Sequence, residues 1–315
     1  MTERQKPPRL QAGMTLGVVA PSSQIFERSI IYRGVEVLEK MGFNVVFAPH
    51  ARDQYGYLGG SDRDRADDLL SMFFRDDVDA VICMRGGVGA NRTANALDRD
   101  LLAQLKNRPP KPFIGFSDIT VPHAIFAKEL NWVTFYGPMI VTFPRATEYT
   151  IAAFRRALME TEPFDILPDP DDPYVETMVP GVAEGELVGG CLQLLTALVG
   201  TPWEVETRGK ILFFEDVHVP PFSIDRSLSQ LIAAGKLQGC AGIVIGEHTD
   251  CAPKNNTPSL SLEQVFDDLI RPLGIPTLYH LPIGHGKHLA TLPIGVQARL
   301  DATNKTLSIL EPGIQ

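Results

Sequence analysis

The chain has 315 residues, 44% of them hydrophobic and 21% charged, with a net charge of −9 at pH 7. This length exceeds what one hydrophobic core usually supports and predicts two domains, while the composition excludes a disordered or fibrous chain. An acidic balance without a cluster of Lys and Arg argues against a nucleic-acid partner, whose phosphates need a basic surface. A small molecule or peptide fits better as the partner.

Targeting signals are absent from the sequence pattern. No hydrophobic run approaches the ~18–20 residues that span a bilayer, and the polar first residues lack the apolar segment of a secretory signal. The four cysteines are scattered, form no C-x-x-C pair and are too few to staple a chain of this length. We therefore expect buried thiols in a cytoplasmic protein with no membrane partner.

In the first half of the chain, short β-rich runs alternate with segments that carry apolar residues at helical spacing. This alternation is typical of a doubly wound α/β domain, which we expect over residues 1–162. The predicted strands are 15–20, 44–48, 80–84, 112–116 and 133–136. The predicted helices are 29–41, 63–74 and 119–130.

The composition changes after residue 136. Residues 163–180 hold five prolines and many acidic side chains, which suits an exposed connector, so we predict a linker over 163–183. A second, smaller α/β or α+β domain is expected over 184–315. Its predicted strands are 186–188, 210–214, 241–245, 276–278, 296–300 and 306–310, and its predicted helices are 191–199, 223–234 and 259–270.

Ligands of open α/β sheets bind beyond the carboxyl ends of the strands. At one of these ends, Gly115-Phe116-Ser117-Asp118, an apolar strand runs straight into a helical pattern. Such a turn would expose the Ser117 hydroxyl as a nucleophile and leave the Asp118 amide free to stabilise an oxyanion. A serine before a helix is more often an N-cap, so both roles stay open here.

A second strand end carries the glycine-rich loop Arg85-Gly86-Gly87-Val88-Gly89. Its backbone amides could donate to an oxyanion or cradle a phosphate, because few side chains stand in the way. The G-x-G-x-x-G spacing and a following Lys-Ser/Thr pair are both missing, so the common nucleotide fingerprints are not met. A plain tight turn is the remaining interpretation.

A serine nucleophile needs a general base and a group that orients this base. Of the seven histidines, His285 lies between two glycines just after a short apolar strand, which gives its imidazole room to face a cleft. Glu215 ends the very apolar run 211–214 and would present a partly desolvated carboxylate, with a cap or salt bridge as its alternative role. The order Ser117, Glu215, His285 is compatible with a catalytic triad.

The motifs at these positions resemble those of the LD-carboxypeptidase family of serine peptidases, which includes muramoyl-tetrapeptide carboxypeptidases and microcin self-immunity proteins. The resemblance covers nearly the whole chain. It rests on the order and spacing of Val18-Val19-Ala20-Pro21-Ser22-Ser23, Tyr57-Leu58-Gly59-Gly60-Ser61 with Arg65 and Asp68-Leu69, Arg85-Gly86-Gly87, Gly115-Phe116-Ser117-Asp118, Tyr136-Gly137-Pro138, Gly185-Glu186-Leu187-Val188-Gly189-Gly190, Phe214-Glu215-Asp216, Ile224-Asp225-Arg226, Gly284-His285-Gly286 and Leu292-Pro293-Ile294-Gly295.

The resemblance implies that Ser117 is the nucleophile, His285 its base and Glu215 the acid that orients the base. The backbone amides of Gly86 and Asp118 would form the oxyanion hole. It also implies a Rossmann-like N-terminal domain that carries the serine and a smaller C-terminal domain that carries the other two residues, with the active site in the cleft between the domains. No cofactor and no metal is expected.

The implied reaction is hydrolysis of an L,D-peptide bond that releases the terminal D-alanine of murein tetrapeptides during peptidoglycan recycling. Cleavage of peptidyl- or aminoacyl-nucleotides, as in the microcin branch, is the alternative. The chain length and the lack of an obvious nucleotide-stacking insertion favour the tetrapeptide. The resemblance also makes a homodimer an option.

Substrate contacts are expected from Arg85, Gly87 and Val88. Val88 stands where relatives commonly have an aromatic residue, which could widen the pocket. Cys191 and Gln193 replace the usual Asn and Ser or Thr after a Gly-Gly pair, which could remove a polar substrate contact. These departures bear on specificity and leave the triad intact, and Cys191 itself is expected to be a buried, unreactive thiol.

Two hypotheses of other classes stay open. In the first, the glycine-rich loop holds a phosphate or nucleotide and Ser117 merely caps a helix, which would make a non-hydrolytic binding protein. In the second, His285 and His288 with Glu247 or His248 hold zinc, although an i, i+3 spacing in a glycine-rich loop is poor evidence for a metal.

Overall fold

A computed structural model describes residues 3–253 and 258–315. The chain divides into two compact units. The first unit comprises Met1–Thr161, Thr291–Pro293 and Gly313–Gln315, and the second comprises Glu162–Ala290 and Ile294–Pro312. Within the described ranges, no helix is both long and apolar enough to cross a membrane.

The first unit is built on a six-stranded sheet. Its strands are β1 (Thr15–Val19), β2 (Asn44–Phe47), β3 (Ala80–Cys83), β4 (Phe113–Gly115), β5 (Thr134–Tyr136) and a late strand, β12 (Leu292–Ile294). They lie in the order β12-β5-β4-β3-β1-β2, and the pairs from β2 to β5 are all parallel. The strand order reverses between β1 and β3, and ligands of doubly wound sheets bind beside such a reversal.

Helices surround this sheet because each carries an apolar stripe that must be buried. They are α1 (Arg28–Lys40), α2 (Asp62–Phe74), α3 (Ala90–Ala96), α4 (Arg99–Leu105), α5 (Thr120–Ile125) and α6 (Glu148–Met159). Three of these helices, α2, α4 and α6, follow the N-cap residues Ser61, Asp98 and Thr147. Each N-cap side chain accepts a hydrogen bond from a backbone N–H of the first helical turn, which favours the start of the helix at that position. The predicted strands and first two helices of this half are confirmed to within one residue at each end.

The second unit contains an eight-stranded mixed sheet in the order β6-β14-β13-β8-β9-β10-β11-β7. Its strands are β6 (Phe164–Asp165), β7 (Glu176–Val179), β8 (Val182–Cys191), β9 (Ile211–Val217), β10 (Gly242–Thr249), β11 (Thr277–Tyr279), β13 (Gln297–Asp301) and β14 (Thr306–Ile309). The central strands β8 to β11 are parallel, and the flanking pairs are antiparallel. The expected α/β class is confirmed.

Among the residues described, three helices pack on this second sheet: α7 (Leu192–Leu198), α8 (Pro221–Ala233) and α9 (Leu262–Leu269). Leu228 from α8 and Phe266 from α9 are fully buried against Phe214 and other apolar residues of the sheet. Each such side chain contributes roughly 1.5–3 kcal/mol by leaving water. This packing fixes the end of β9, where Glu215 lies.

The segment 163–183 was predicted to be an exposed connector, but part of it forms β-strands. It contains β6 and β7, which pair antiparallel with β14 and β11. Both strands lie at the outer edges of the eight-stranded sheet. The five prolines of this segment all lie outside the two strands, so its proline-rich part connects β6 to β7. The predicted domain limits stay a prediction.

Candidate active site

Ser117 lies in a tight turn that joins a buried parallel strand to a helix. It follows β4 by two residues and begins a 3₁₀ turn, Ser117–Ile119, which leads into α5. Its φ of +67° falls in the left-handed region, which costs a non-glycine residue roughly 1–2 kcal/mol. The N-cap of this turn is Phe116, so the alternative role of Ser117 as an N-cap is wrong.

Hydrogen bonds on both sides hold Ser117 in this conformation. Its backbone N–H donates to the hydroxyl of Tyr136 over 3.0 Å, and its carbonyl accepts from the hydroxyl of Thr120 over 2.7 Å. Tyr136 is fully buried at the end of β5. Strained backbone of this kind persists only where the surroundings fix it, and it is concentrated at functional sites.

Gly86 comes very close to the serine. A Cβ atom at position 86 would lie 2.9 Å from Ser117 Cβ, 3.1 Å from Ser117 Oγ and 3.2 Å from the amide nitrogen of Asp118. Only a residue without a side chain permits this approach. The two backbone segments predicted to form the oxyanion hole are thus neighbours beside the hydroxyl, while their catalytic role stays a prediction.

The side chain of Asp118 has a structural role that was not predicted from the sequence. It is 4% exposed, and its Oδ2 accepts from the hydroxyl of Ser22 over 2.6 Å and from the backbone N–H of Ala90 over 2.8 Å. Burial raises the pKa of the Asp118 carboxyl, while these two hydrogen bonds lower it. The only signal in the sequence was its place next to Ser117.

A buried guanidinium holds the outer side of the glycine-rich loop. Arg65, 1% exposed, donates to the carbonyls of Pro21 and Gly89 over 3.0 Å each and forms an ion pair with Asp62. A Cβ at position 89 would lie 2.6 Å from Arg65 Nη1, and the φ of Gly89 is +129°. Glycine is therefore required at this position by both sterics and backbone conformation.

The predicted substrate contacts lie in the same loop. The Arg85 guanidinium donates to the carbonyl of Gln24 over 3.1 Å, and burial lowers the pKa of Arg85. Gly87 has a φ of +108° and packs against Ser23, whose hydroxyl accepts from the Val88 N–H over 3.0 Å. The Val88 side chain is 58% exposed. Because the amide of Val88 is already paired, it is a poor donor for the alternative phosphate site.

In the second unit, Glu215 and His285 form a direct pair. The Glu215 carboxylate, fully buried near the carboxyl end of β9, lies 2.7 Å from Nδ1 of His285. Burial by itself would lower the pKa of His285, but the carboxylates of Glu215, Asp216 and Glu247 together hold that pKa above its usual value, with Glu215 contributing most. A side chain at Gly284, whose φ is +125°, would collide with this carboxylate.

A second carboxylate near this pair, Glu247, was considered from the sequence only as a zinc ligand. It follows β10 residue Gly246, its N–H donates to the carbonyl of Ile283 over 2.9 Å, and its carboxylate lies where a Cβ of Gly286 would be. Burial and the neighbouring carboxylates of Asp169 and Glu215 raise the pKa of Glu247 to about 7. Its charge also helps to raise the pKa of the imidazole next to it.

Cys191 and Gln193 both face the protein interior. Burial raises the pKa of the Cys191 thiol, which is 4% exposed, so the thiol is unreactive, as expected. The Gln193 amide donates to the hydroxyl of Ser227 over 2.8 Å, and its backbone N–H donates to Asp216. Burial raises the pKa of Asp216 to about 6.

The zinc hypothesis does not match the positions of its histidines. His288 lies 3.0 Å from Asp171 and 3.7 Å from Asp169, whereas His285 faces Glu215. In the described part of the chain, the groups of potential ligands within 4.8 Å of one another are His50, Asp53 and Asp64, and Asp169, Asp171 and His288. His285 belongs to neither group, so the structure does not bring His285 and His288 together.

A strained serine after a parallel strand and a carboxylate–imidazole pair are together typical of α/β hydrolytic enzymes. Residues 16–137 match the LD-carboxypeptidase N-terminal domain, and residues 184–300 match the LD-carboxypeptidase C-terminal domain. The chain belongs to the LD-carboxypeptidase family, which makes it a peptidase. The resemblance drawn from the sequence motifs is confirmed.

Individual relatives match over nearly their whole length. A probable murein peptide carboxypeptidase of Bacillus subtilis is 40% identical over 312 residues, which cover 98% of this chain and 95% of the relative. The crystal structure of an MccF-like protein from Bacillus anthracis superposes with a TM-score of 0.86 at 26% identity, over 97% of this chain and 99% of that one. A muramoyltetrapeptide carboxypeptidase from Oxalobacter formigenes gives a TM-score of 0.80 at 28% identity, over 95% and 99%.

Proposed function

We propose that this chain is a serine carboxypeptidase that hydrolyses an L,D-peptide bond and releases the terminal D-alanine of murein tetrapeptides during peptidoglycan recycling in the cytoplasm. The observation that carries the proposal is the strained turn of Ser117, with Gly86 packed closely against both the Ser117 side chain and the backbone amide of Asp118. Two relatives, a probable murein peptide carboxypeptidase and a muramoyltetrapeptide carboxypeptidase, support the substrate class. The four free, buried cysteines suit a reducing compartment.

In the proposed mechanism, the hydroxyl of Ser117 attacks the scissile carbonyl while Nε2 of His285 takes its proton. The Nδ1–H of His285 donates to Glu215, which fixes the tautomer that leaves Nε2 free as a base and stabilises the imidazolium that forms. His285 then delivers the proton to the departing D-alanine amine. Water hydrolyses the acyl-enzyme by the same steps in reverse.

The negative oxygen of the tetrahedral intermediate would be held by the amides of Gly86 and Asp118. Losing one donor of this kind typically costs ~10²–10³ in kcat. Arg85, Gly87 and Val88 would contact the substrate, with the Arg85 guanidinium offering a positive charge to its terminal carboxylate. The proton transfers are carried by His285, so the proposed mechanism calls for no metal or cofactor.

Side-by-side incubation with a murein tetrapeptide, the matching pentapeptide and an aminoacyl-adenylate analogue, followed by mass spectrometry, tests the proposal. We expect D-alanine release from the tetrapeptide alone. Cleavage of the adenylate analogue instead would favour the alternative function, hydrolysis of peptidyl- or aminoacyl-nucleotides. The similarity to an MccF-like structure is the reason to include this substrate.

The serine mechanism is tested by Ser117→Ala, His285→Ala and Glu215→Ala, each of which should abolish release while the protein stays folded. Ser71→Ala, a change on the exposed side of α2, is the matched control and should keep activity. Full activity of Ser117→Ala would end the proposal that Ser117 is the nucleophile. Sedimentation of the same preparations measures whether the chain forms a homodimer, the option that the family resemblance leaves open.

A further inference from the structure

The Asp118 side chain joins loops that follow three neighbouring strands, β1, β3 and β4. Its Oδ2 atom accepts both the hydroxyl of Ser22, after β1, and the N–H of Ala90, the first residue of α3. Ala90 directly follows the loop that contains Gly86, and Asp118 directly follows Ser117. A single buried carboxylate oxygen therefore connects the glycine-rich loop to the turn of the serine.

Both amides proposed for the oxyanion hole belong to segments that this carboxylate connects. Such donors work only when they are fixed about 2.7–3.1 Å from the position of the oxyanion. The loop of Gly86 is held on its other side by Ser23, whose N–H donates to the Gly86 carbonyl over 3.3 Å and whose hydroxyl accepts from Val88 over 3.0 Å. On the side that faces β4, the loop is held by the hydrogen bond from the Ala90 N–H to the Asp118 carboxylate.

The negative charge of Asp118 would oppose an oxyanion if it were not balanced. The hydrogen bonds from Ser22 and Ala90 both end on this carboxylate, and the buried guanidinium of Arg65 attracts it. Arg65 is itself held in place because it donates hydrogen bonds to the carbonyls of Pro21, after β1, and Gly89, in the glycine-rich loop. The Asp118 carboxylate can thus accept hydrogen bonds from the loops while the positive charge of Arg65 compensates its negative charge.

We infer that the Asp118 side chain is a positioning residue for the oxyanion hole: it fixes the Asp118 amide and the loop that carries the Gly86 amide as one unit. The inference rests on the proposed serine mechanism. Because the side chain acts on the donors rather than on the substrate, its loss should weaken stabilisation of the transition state and leave substrate binding nearly unchanged.

The test compares kcat and KM for D-alanine release by Asp118→Ala, Asp118→Asn and Thr93→Val. Asp118→Ala should lower kcat about 10²-fold, the typical effect of losing one oxyanion donor, with KM within about twofold. Asp118→Asn should recover most of this loss, because its amide oxygen can still accept both hydrogen bonds. Recovery by an uncharged acceptor would identify hydrogen bonding, rather than charge, as the function of the side chain.

Thr93→Val is the matched control. The Thr93 hydroxyl, in α3, donates to the Pro21 carbonyl over 2.7 Å, so it ties α3 to the β1 loop without a hydrogen bond to Asp118. Its loss should leave kcat within about twofold, since neither donor depends on it. Equal kcat for Asp118→Ala and Thr93→Val, or a raised KM at unchanged kcat, would overturn the inference.

If Asp118→Ala does not fold, Ser22→Ala decides the question. It removes one of the two donors to Asp118 and should lower kcat several-fold at constant KM, whereas an unchanged kcat overturns the inference. Failure of the proposed function is a different result, namely full activity of Ser117→Ala.

Discussion

Replacing Gly86 by alanine adds one methyl group directly against the hydroxyl of Ser117. The new Cβ would lie 2.9 Å from Ser117 Cβ and 3.1 Å from Oγ, whereas non-bonded carbon atoms pack best at ~3.5–4.0 Å. The backbone of Gly86 is not in the left-handed region, so alanine can adopt its conformation and the effect comes from this contact. The two segments must separate by roughly 0.6–1 Å.

A displacement of this size matters for catalysis more than for folding. Misplacing a reacting group by ~1 Å can cost about 10²-fold in rate, and overpacking of a buried site typically costs ~1–3 kcal/mol of stability. We therefore expect Gly86→Ala to lower kcat/KM for D-alanine release about 10²-fold. The protein should remain folded, with a lower midpoint in thermal denaturation.

The matched control is Gly239→Ala, which makes the same chemical change where a Cβ meets Arg208 at an ordinary 3.6 Å. Its kinetics and melting temperature should stay close to those of the wild type. If Gly86→Ala kept kcat/KM within twofold of this control, the close approach of Gly86 to Ser117 would have no catalytic meaning and the reasoning would be refuted.

Three further predictions concern charge. Glu215→Gln should lower kcat by ~10²–10⁴ and shift the acid limb of the pH–rate profile downwards, because the pKa of His285 loses the carboxylate that raises it; an unmoved limb would contradict this. Glu247→Gln should shift that limb downwards by less than Glu215→Gln does, in the same assay. Burial lowers the pKa of His123 and of His248 to about 4, so the stability that each neutral histidine permits above pH 6.5 should fall by about 2 kcal/mol by pH 5. The raised pKa values of Asp216 and Glu247 change stability in the opposite direction over this range, so the measurement is urea denaturation of the wild type against His123→Phe and His248→Phe. A difference between wild type and variant that is the same at pH 7 and pH 5 would be the contrary result.

Local sequence determined the elements whose periodicity is strong. The fully buried run of β3 and the strand–turn–helix pattern around Ser117 are continuous in sequence, so hydrophobic pattern alone located them. The sequence pattern did not predict α3 and α4, because these helices have seven residues each and are too short for a clear helical periodicity. The edge strand β6 has two residues and owes its structure to pairing with β14.

The candidate site divides in the same way. The sequence by itself pointed to Ser117, Glu215 and His285, since each stands at the end of an apolar strand or between glycines. That Glu215 meets His285 across 70 residues of chain, and that Asp118 accepts a hydroxyl 96 residues away, was decided only by tertiary structure. Hydrogen bonds between such distant residues leave no local periodicity, because their geometry exists only after the strands have paired and brought their carboxyl ends to one edge of each sheet.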